Sequence, residues 1–302
     1  SLGTMDCDNA AFNNEYIDNI IALSSSCKNY IIHRFGIKNN DKIKVVFNSV
    51  TDNPDSAAKR QAKMTAEKIK IVFAGGSAAS KSPDVVVPIV NELCKSNLPF
   101  EFYWLGITTP PLKKFQPFKD IRLILPNDER VIVTGLIPQQ QAAEIIASCN
   151  VFLAPSRREG FPMALLEAMR IGCIPIVSDF RIANQEIIRD GINGFIISHK
   201  DIKSFVDRLS DIIENHANYK NVYEASYKTF VEELSFPVWR KCIYSIISRG
   251  ALYHKQRRVM KKYAYKAVVN RFKLLDKYNL IENYMTEVLP CAIKFYKYYK
   301  NK

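Results

Sequence analysis

Short apolar runs alternate with amphipathic segments over most of the chain. Runs of strand length occupy residues 44–47, 69–74, 100–105, 131–134, 151–154, 174–177 and 195–197. Helical patterns with start signals lie between most of them, at residues 84–94, 139–147 and 202–214. Strands that alternate with helices predict a parallel sheet with helices on both faces, so we expect an α/β, Rossmann-like fold.

Two regions depart from this alternation. Residues 53–68 are polar and broken by Pro54, which predicts a linker or a short surface helix. From residue 236 onward long helical patterns replace the strands, with a break at Pro290. This tail carries 16 Lys and Arg against 3 Asp and Glu, whereas residues 1–235 carry 27 of each, so the tail accounts for the whole net charge of +13. We expect a sheet domain over residues 42–235 and a basic helical tail over residues 236–302.

Composition narrows the class of protein. No apolar run approaches the roughly 20 residues that span a bilayer, and the first residues lack the pattern of a secretory signal. The seven cysteines form no C-x-x-C pair, and the four histidines form no cluster with zinc-ligand spacing. We therefore expect a cytoplasmic protein with neither a disulfide framework nor a built-in metal site.

One strand-to-helix turn, "IVFAGGSAASKS", combines glycines with a cation. Ligands of open α/β sheets bind at the carboxyl ends of the strands, where this turn lies. Gly75 and Gly76 allow the backbone to approach an anion, and Lys81 supplies a point charge. The spacing fits neither a Walker A loop nor G-x-G-x-x-G. The turn is consistent with a phosphate site, and the alternative is a Gly-Gly turn with a solvated lysine.

A second turn, "PSRREGFPMALLEAMRIG" at residues 155–172, carries two carboxylates. Pro162 suits the first helical position, and Gly172 ends the helix. The first turn is expected to leave the N–H groups of Met163, Ala164 and Leu165 without helical partners, facing the crevice, which favours a phosphate.

The two carboxylates of this turn do not suit a phosphate, but they suit hydroxyl groups near it. Glu159 precedes the helix and Glu167 lies one turn beyond Met163. An ionised carboxylate accepts hydrogen bonds from hydroxyl groups. An anion flanked by hydroxyl groups describes a nucleotide sugar. The alternative is that Glu159 only offsets the helix dipole, worth ~0.3–1 kcal/mol, and that Glu167 is an ordinary solvated residue.

The run "PSRREGFPMALLEAMRIGCIPIVSDF" resembles the E-x7-E signature of the glycosyl transferases group 1 family, which are retaining nucleotide-sugar enzymes with the two-domain GT-B fold. Further similarity lies in "KIKVVFNSV", "IVFAGGSAASKS", "FYWLG", "VIVTGLIPQQQAAEIIASCNVFLAPS" and "EIIRDGINGFII". The similar motifs span roughly residues 19–234, in the order and spacing of the nucleotide-sugar-binding domain of that family.

The resemblance implies a role for each matched position. Lys81 would bind the diphosphate, Glu159 the donor sugar and Glu167 the ribose diol, while Leu136 would lie against the base. Lys81 and Glu159 would also contribute to catalysis, which in this family needs no metal because the helix N-terminus and basic side chains stabilise the leaving diphosphate. The implied donor-binding set is Gly75, Gly76, Lys81, Leu136, Glu159, Gly160, Phe161, Pro162, Met163, Ala164, Leu165 and Glu167.

Two features depart from the family pattern. Gly76 stands where the family usually has Arg, so half of the Arg/Lys phosphate clamp is lacking. Arg157 or Arg158 would compensate for the missing arginine; the alternative is that these two residues form a solvated loop pair. Residues 1–41 resemble only the last strand and helix of the first domain, which supplies the acceptor site and a catalytic histidine. His33 lies on that terminal helix and is expected to be a surface residue.

The resemblance implies a hexosyltransferase-like enzyme of polysaccharide biosynthesis that uses no cofactor and prefers a UDP-sugar over a GDP-sugar. The acceptor would be a glycan or a lipid-linked group. The alternative is a non-catalytic nucleotide-sugar-binding or scaffold module. "DCD" at residues 6–8 would suit the metal-dependent GT-A class, but no buried strand precedes it.

The basic tail interleaves Lys and Arg with aromatic residues, and nine of the fifteen tyrosines lie in it. This pattern is consistent with adsorption to the anionic inner face of a membrane, as a peripheral protein. The alternative is a solvated helix. Nucleic-acid binding would rest on charge alone, because no motif that reads DNA or RNA accompanies the tail.

Overall fold

The computed structural model describes residues 17–37, 40–51, 56–107, 124–157, 161–179 and 184–256. The strands of this part are β1 (Ile20–Ala22), β2 (Ile43–Val45), β3 (Ile69–Phe73), β4 (Phe100–Trp104), β5 (Val131–Val133), β6 (Val151–Ala154), β7 (Ile174–Ser178) and β8 (Phe195–Ile197). The α-helices are α1 (Ser25–Phe35), α2 (Ser56–Met64), α3 (Pro83–Cys94), α4 (Gln139–Ser148), α5 (Met163–Met169), α6 (Asn184–Ile187), α7 (Ile202–Glu214), α8 (Lys220–Thr229) and α9 (Phe236–Gln256).

Six strands form one parallel sheet in the order β5-β4-β3-β6-β7-β8, which confirms the predicted α/β fold. After β3 the chain continues to β4 on one side, and after β6 it continues to β7 on the other. The strand order therefore reverses between β3 and β6. In open α/β sheets this switch point leaves a crevice beyond the carboxyl ends of the two strands.

Helices bury both faces of the sheet. Along β3, Ile71 and Phe73 join the core cluster that includes α3 and α7, while Val72 joins the cluster on the other face with α4 and α5. This alternation follows from the two-residue period of a strand. Burial on both faces explains why the central strands are apolar throughout: all four residues of β6 and all five of β7 are buried.

The run at residues 44–47 follows the same pattern as the later strands, but the strand that forms there, β2, lies outside the large sheet. β2 pairs with β1 in a separate two-stranded sheet, and between them runs α1. The carboxylate of Glu186 accepts hydrogen bonds from the backbone N–H groups of Ser25 (2.8 Å) and Ser26 (3.1 Å). These bonds satisfy two donors at the start of α1 and join it to the domain that contains the large sheet.

Residues 56–64, within the stretch predicted as a linker or short surface helix, form helix α2. One of its polar residues, Lys63, is only 4% exposed. Its Nζ donates to the carbonyl of Cys149 and lies 3.4 Å from Sγ of Cys173. The helix therefore contributes to the interior as well as to the surface.

The chain divides into two compact units. The larger unit spans Ile21–Trp239, and the smaller includes the described residues 17–20 and 240–256. The tail begins with helix α9 (Phe236–Gln256), in agreement with the predicted helical pattern; the rest of the tail, with Pro290, lies outside the described residues. Among the described helices, none is both long enough and apolar enough to cross a membrane.

Candidate functional site

A cavity opens at the switch point between β3 and β6. The residues that line it come from the ends of these strands and from the two loops that follow. They are Phe73, Ala74, Gly75, Lys81, Phe152, Leu153, Ala154, Ser156, Pro162 and Ala164. The two turns that the sequence marks as candidates therefore form opposite walls of one crevice.

The loop after β3 requires glycine at two successive positions. A Cβ on Gly75 would overlap the ring of Phe73 and lie 2.8 Å from Cβ of Lys81. Gly76 has φ +53°, and a Cβ there would lie 2.5 Å from the backbone oxygen of Gly106. The N–H of Gly76 donates to the carbonyl of Leu105 at 3.0 Å, and Nε1 of Trp104 donates to the carbonyl of Gly76 at 2.9 Å. Gly76 is thus fixed against the loop after β4.

A 3₁₀ turn, Ala79–Lys81, brings Lys81 to the cavity. The next residue, Ser82, has φ +61° and ψ +55°, a left-handed conformation that is strained for a residue with a Cβ. Its Oγ lies 2.8 Å from Nε2 of His199, the second residue after β8. Burial lowers the pKa of His199 below its ordinary value, and the charge of Arg157 lowers it further.

The loops after β3 and β6 are joined directly. The N–H of Arg157 donates to the carbonyl of Ser80 at 2.8 Å, and Nη1 of Arg157 donates to Oδ1 of Asp84 at 2.9 Å. Nη2 of Arg157 pairs with the second oxygen of Asp84. The guanidinium of Arg157 therefore connects the second loop to the start of α3 instead of extending alone into solvent. Arg158 lies outside the described residues.

Helix α5 forms the second wall. Pro162 and Ala164 line the cavity, whereas Leu165 is fully buried in the core. The N–H of Leu165 was expected to lack a helical partner, but it donates to the carbonyl of Pro162 at 3.1 Å because the helix opens with a tight turn. The ring of Phe161 is 5.6 Å from that of Phe47, which anchors the start of the helix.

Among the described residues, three further predicted site residues are absent from the lining of the cavity: Leu136, Met163 and Glu167. Leu136 follows β5 and is 78% exposed, and Met163 is 40% exposed. Glu167 is partly buried on α5, and burial raises the pKa of its carboxyl group while Arg170 opposes this shift. Glu159 and Gly160 lie outside the described residues.

Sequence reasoning missed two contributors to this edge of the sheet, His199 and Asp84. His199 was only one of four scattered histidines, and Asp84 only the start of a helix. His199 follows the predicted strand 195–197 closely, and a polar residue just past a buried strand is the signal that could have identified it. Among the described residues, no group of three or more His, Cys, Asp or Glu could hold a metal ion.

The model of the family Glycosyl transferases group 1 matches residues 55–229. This range includes both loops of the crevice and all six strands of the large sheet. The match therefore covers more than half of the chain and the whole of the candidate site.

Individual proteins are similar to this chain in sequence or in fold. Lipopolysaccharide 1,6-galactosyltransferase of Salmonella typhimurium is 30% identical over 125 residues, 40% of this chain and 35% of that protein. The structure of S. aureus TarM in a complex that contains UDP has a TM-score of 0.64 and 16% identity over 79% of this chain and 46% of that chain. The pneumococcal O-GlcNAc transferase GtfA, in complex with UDP and GlcNAc, has a TM-score of 0.60 and 20% identity over 78% of this chain and 46% of that chain.

The chain spans only part of these relatives, about a third of the galactosyltransferase and just under half of each of the two solved chains. At these identities the solved structures establish the fold, while the family match establishes the relationship in sequence.

Proposed function

Because the chain belongs to the glycosyl transferases group 1 family, we propose that it is the donor-binding portion of a glycosyltransferase that takes a nucleotide-sugar donor. The observation that carries this proposal is the cavity at the switch point, where Gly75 and Lys81 face Pro162 and Ala164. A crevice of this kind, with a close backbone approach and a cation, suits a diphosphate. Relatives of the same fold have been solved with UDP, which supports a nucleoside diphosphate at this place.

Each residue then has a chemical task. Lys81 balances the charge of the diphosphate, and the backbone of Gly75 lines the site beside it. Glu167 accepts hydrogen bonds from the ribose diol, and Glu159 accepts them from the donor sugar. Leu136 packs against the base. Gly76, Gly160 and the backbone from Phe161 to Leu165 complete the proposed donor site, with the N–H groups of Met163 and Ala164 as donors to the phosphate.

We propose transfer with retention of anomeric configuration and without a metal ion. The bond between the anomeric carbon and the diphosphate oxygen breaks, and the acceptor oxygen forms its bond on the same face of the sugar. The acceptor proton passes to the leaving phosphate. Lys81 stabilises the negative charge that develops on the diphosphate, and Glu159 holds the sugar during the transfer.

The donor is proposed to be a UDP-sugar, and the acceptor a glycan or a lipid-linked group. TarM and GtfA were solved with UDP, and the Salmonella relative is named as a lipopolysaccharide galactosyltransferase. These names support a hexosyl donor and a role in polysaccharide biosynthesis.

Calorimetric titration of UDP, GDP and ADP tests the proposal, with each titration run in the presence of chelator and again with Mg²⁺. UDP should bind most tightly, with the same affinity in both conditions. Failure of all three nucleotides to bind, or a strict requirement for the metal, would contradict it. Binding of a UDP-sugar without any transfer or hydrolysis, even by the full-length protein, would favour the non-catalytic module instead.

A further inference from the structure

Lys81 is followed directly by the most unusual backbone position among the described residues. Ser82 is the one residue other than glycine in that part of the chain with a positive φ. Such a conformation is costly for serine, and it persists only where neighbouring groups hold it. Because Ser82 shares a peptide bond with Lys81, its φ and ψ angles help to set the direction in which the lysine leaves the loop.

The side chain of Ser82 does not serve the helix that it precedes. A serine at the start of a helix normally accepts a hydrogen bond from an N–H in the first turn. Ser82 makes no such bond, although its carbonyl accepts from the N–H groups of Val85 (3.0 Å) and Val86 (3.2 Å). Its Oγ turns instead to Nε2 of His199 at 2.8 Å.

His199 is itself held in place. It is 4% exposed, and Ser82 is fully buried. The N–H of His199 donates to Oδ1 of Asp179 at 2.9 Å, and the N–H of Asp179 donates to the carbonyl of Ile197 at 2.9 Å. The contact between Ser82 and His199 thus joins the loop after β3 to the ends of β7 and β8, across the carboxyl edge of the sheet.

We propose that His199 is a positioning residue for the donor diphosphate: its ring holds Ser82 in the left-handed conformation and thereby fixes Lys81 at the cavity. This role rests on the proposed function, because it assigns a phosphate to Lys81. His199 is not among the residues that line the cavity, so it acts on the donor through Ser82.

Glycine at position 82 provides the decisive variant. Glycine adopts a positive φ without strain, so Ser82→Gly no longer needs the histidine to hold the backbone. In His199→Ala, by contrast, a buried hydroxyl loses its partner while the strain of Ser82 remains, and the loop is expected to relax. The double variant Ser82→Gly/His199→Ala removes both the strain and the orphaned hydroxyl.

The test measures the affinity of the full chain for UDP and for uridine in six proteins: wild type, Lys81→Ala, His199→Ala, His199→Gln, Ser82→Gly and the double variant. His199→Ala should lose about tenfold in UDP affinity, with uridine unchanged, because only the phosphates meet Lys81. Ser82→Gly and the double variant should stay within about threefold of wild type. His199→Gln, whose amide group can either donate to Oγ of Ser82 or accept from it, should also retain most of the affinity.

The outcomes separate the two proposals. If Lys81→Ala loses UDP affinity while His199→Ala keeps it, the inference is overturned and the diphosphate site stands. His199→Ala could instead lose equal affinity for UDP and uridine, without rescue in the double variant. His199 would then have only a general stabilising role, and the inference would also be overturned. If Lys81→Ala binds UDP as wild type does, the diphosphate site and the inference fall together. Should His199→Ala not fold, rescue of folding and UDP affinity in the double variant supports the inference, and an unfolded or non-binding double variant contradicts it.

Discussion

Gly76→Ala should destabilise the protein far more than its small size suggests. The added Cβ would lie 2.5 Å from the backbone oxygen of Gly106, and both partners are backbone positions with positive φ, +53° for Gly76 and +82° for Gly106. Neither can move as a flexible side chain would. The matched control is Gly36→Ala, because Gly36 has φ +58° but, among the described residues other than its chain neighbours, no atom lies within 4 Å of the place that its added methyl group would occupy.

The two variants share one cost and differ in another. A positive φ costs a residue with a Cβ about 1–2 kcal/mol, which applies to both positions. At Gly76 the clash must also be relieved by a shift of the loop, which weakens the bonds from Gly76 to Leu105 and from Trp104 to Gly76. Each is worth about 1 kcal/mol. We expect a loss of about 3–4 kcal/mol for Gly76→Ala and about 1–2 kcal/mol for Gly36→Ala.

Urea denaturation of both variants measures the difference directly, since the free energy of unfolding falls linearly with denaturant. If the two variants lose the same free energy of unfolding, within about 0.5 kcal/mol, the reasoning is refuted. That margin is the usual variation of surface substitutions that have no structural mechanism. Gly76→Arg should be destabilised at least as much as Gly76→Ala. The family's usual arginine is therefore not expected to restore a phosphate clamp in this chain.

Three further predictions follow from the site, an ion pair and the tail. Glu167→Ala should weaken the binding of UDP itself, whereas Glu159→Ala should weaken only that of the UDP-sugar, each by roughly 1.5–3 kcal/mol in titration calorimetry; unchanged affinities in both variants would remove these assignments. Hydrogen bonds from Arg130 hold the pKa of Asp128 well below its usual range. Asp128→Asn should therefore lower the free energy of unfolding by its full amount at pH 7, and by less as the pH falls below about 4. A loss that stays constant with pH in urea titrations would contradict this. The basic tail, residues 236–302, should bind anionic but not neutral liposomes, and salt should release it; absence from both pellets at low salt would favour a solvated helix.

The alternation of strands and helices could be predicted because it depends on local pattern. The run 151–154 has the same bounds as β6, and the run 195–197 the same bounds as β8. Which strands pair is a different matter. The run at 44–47 looks like its neighbours, yet β2 (Ile43–Val45) pairs with β1 outside the large sheet, and no periodicity within a short strand encodes its partner.

The two walls of the crevice could also be predicted, since both lie at strand ends and carry glycine, lysine or a helix start. The contacts that fix them could not. Arg157 and Asp84 are 73 positions apart, and Ser82 and His199 are 117 apart, so only the folded sheet reveals that each pair meets. Lys63 shows the same limit, because a lysine in a polar stretch gives no local sign that the fold buries it.

The central claim is that a nucleoside diphosphate occupies the crevice between the loops after β3 and β6. Methyl NMR of alanine-labelled protein tests it most directly, because Ala74, Ala154 and Ala164 line the cavity, while Ala22 and Ala147 are buried elsewhere. Titration with UDP should shift the three cavity methyl signals together, along one saturation curve, and leave the other two in place. Saturation by UDP with the three cavity methyl signals unmoved, or no change in any methyl signal, would contradict the account.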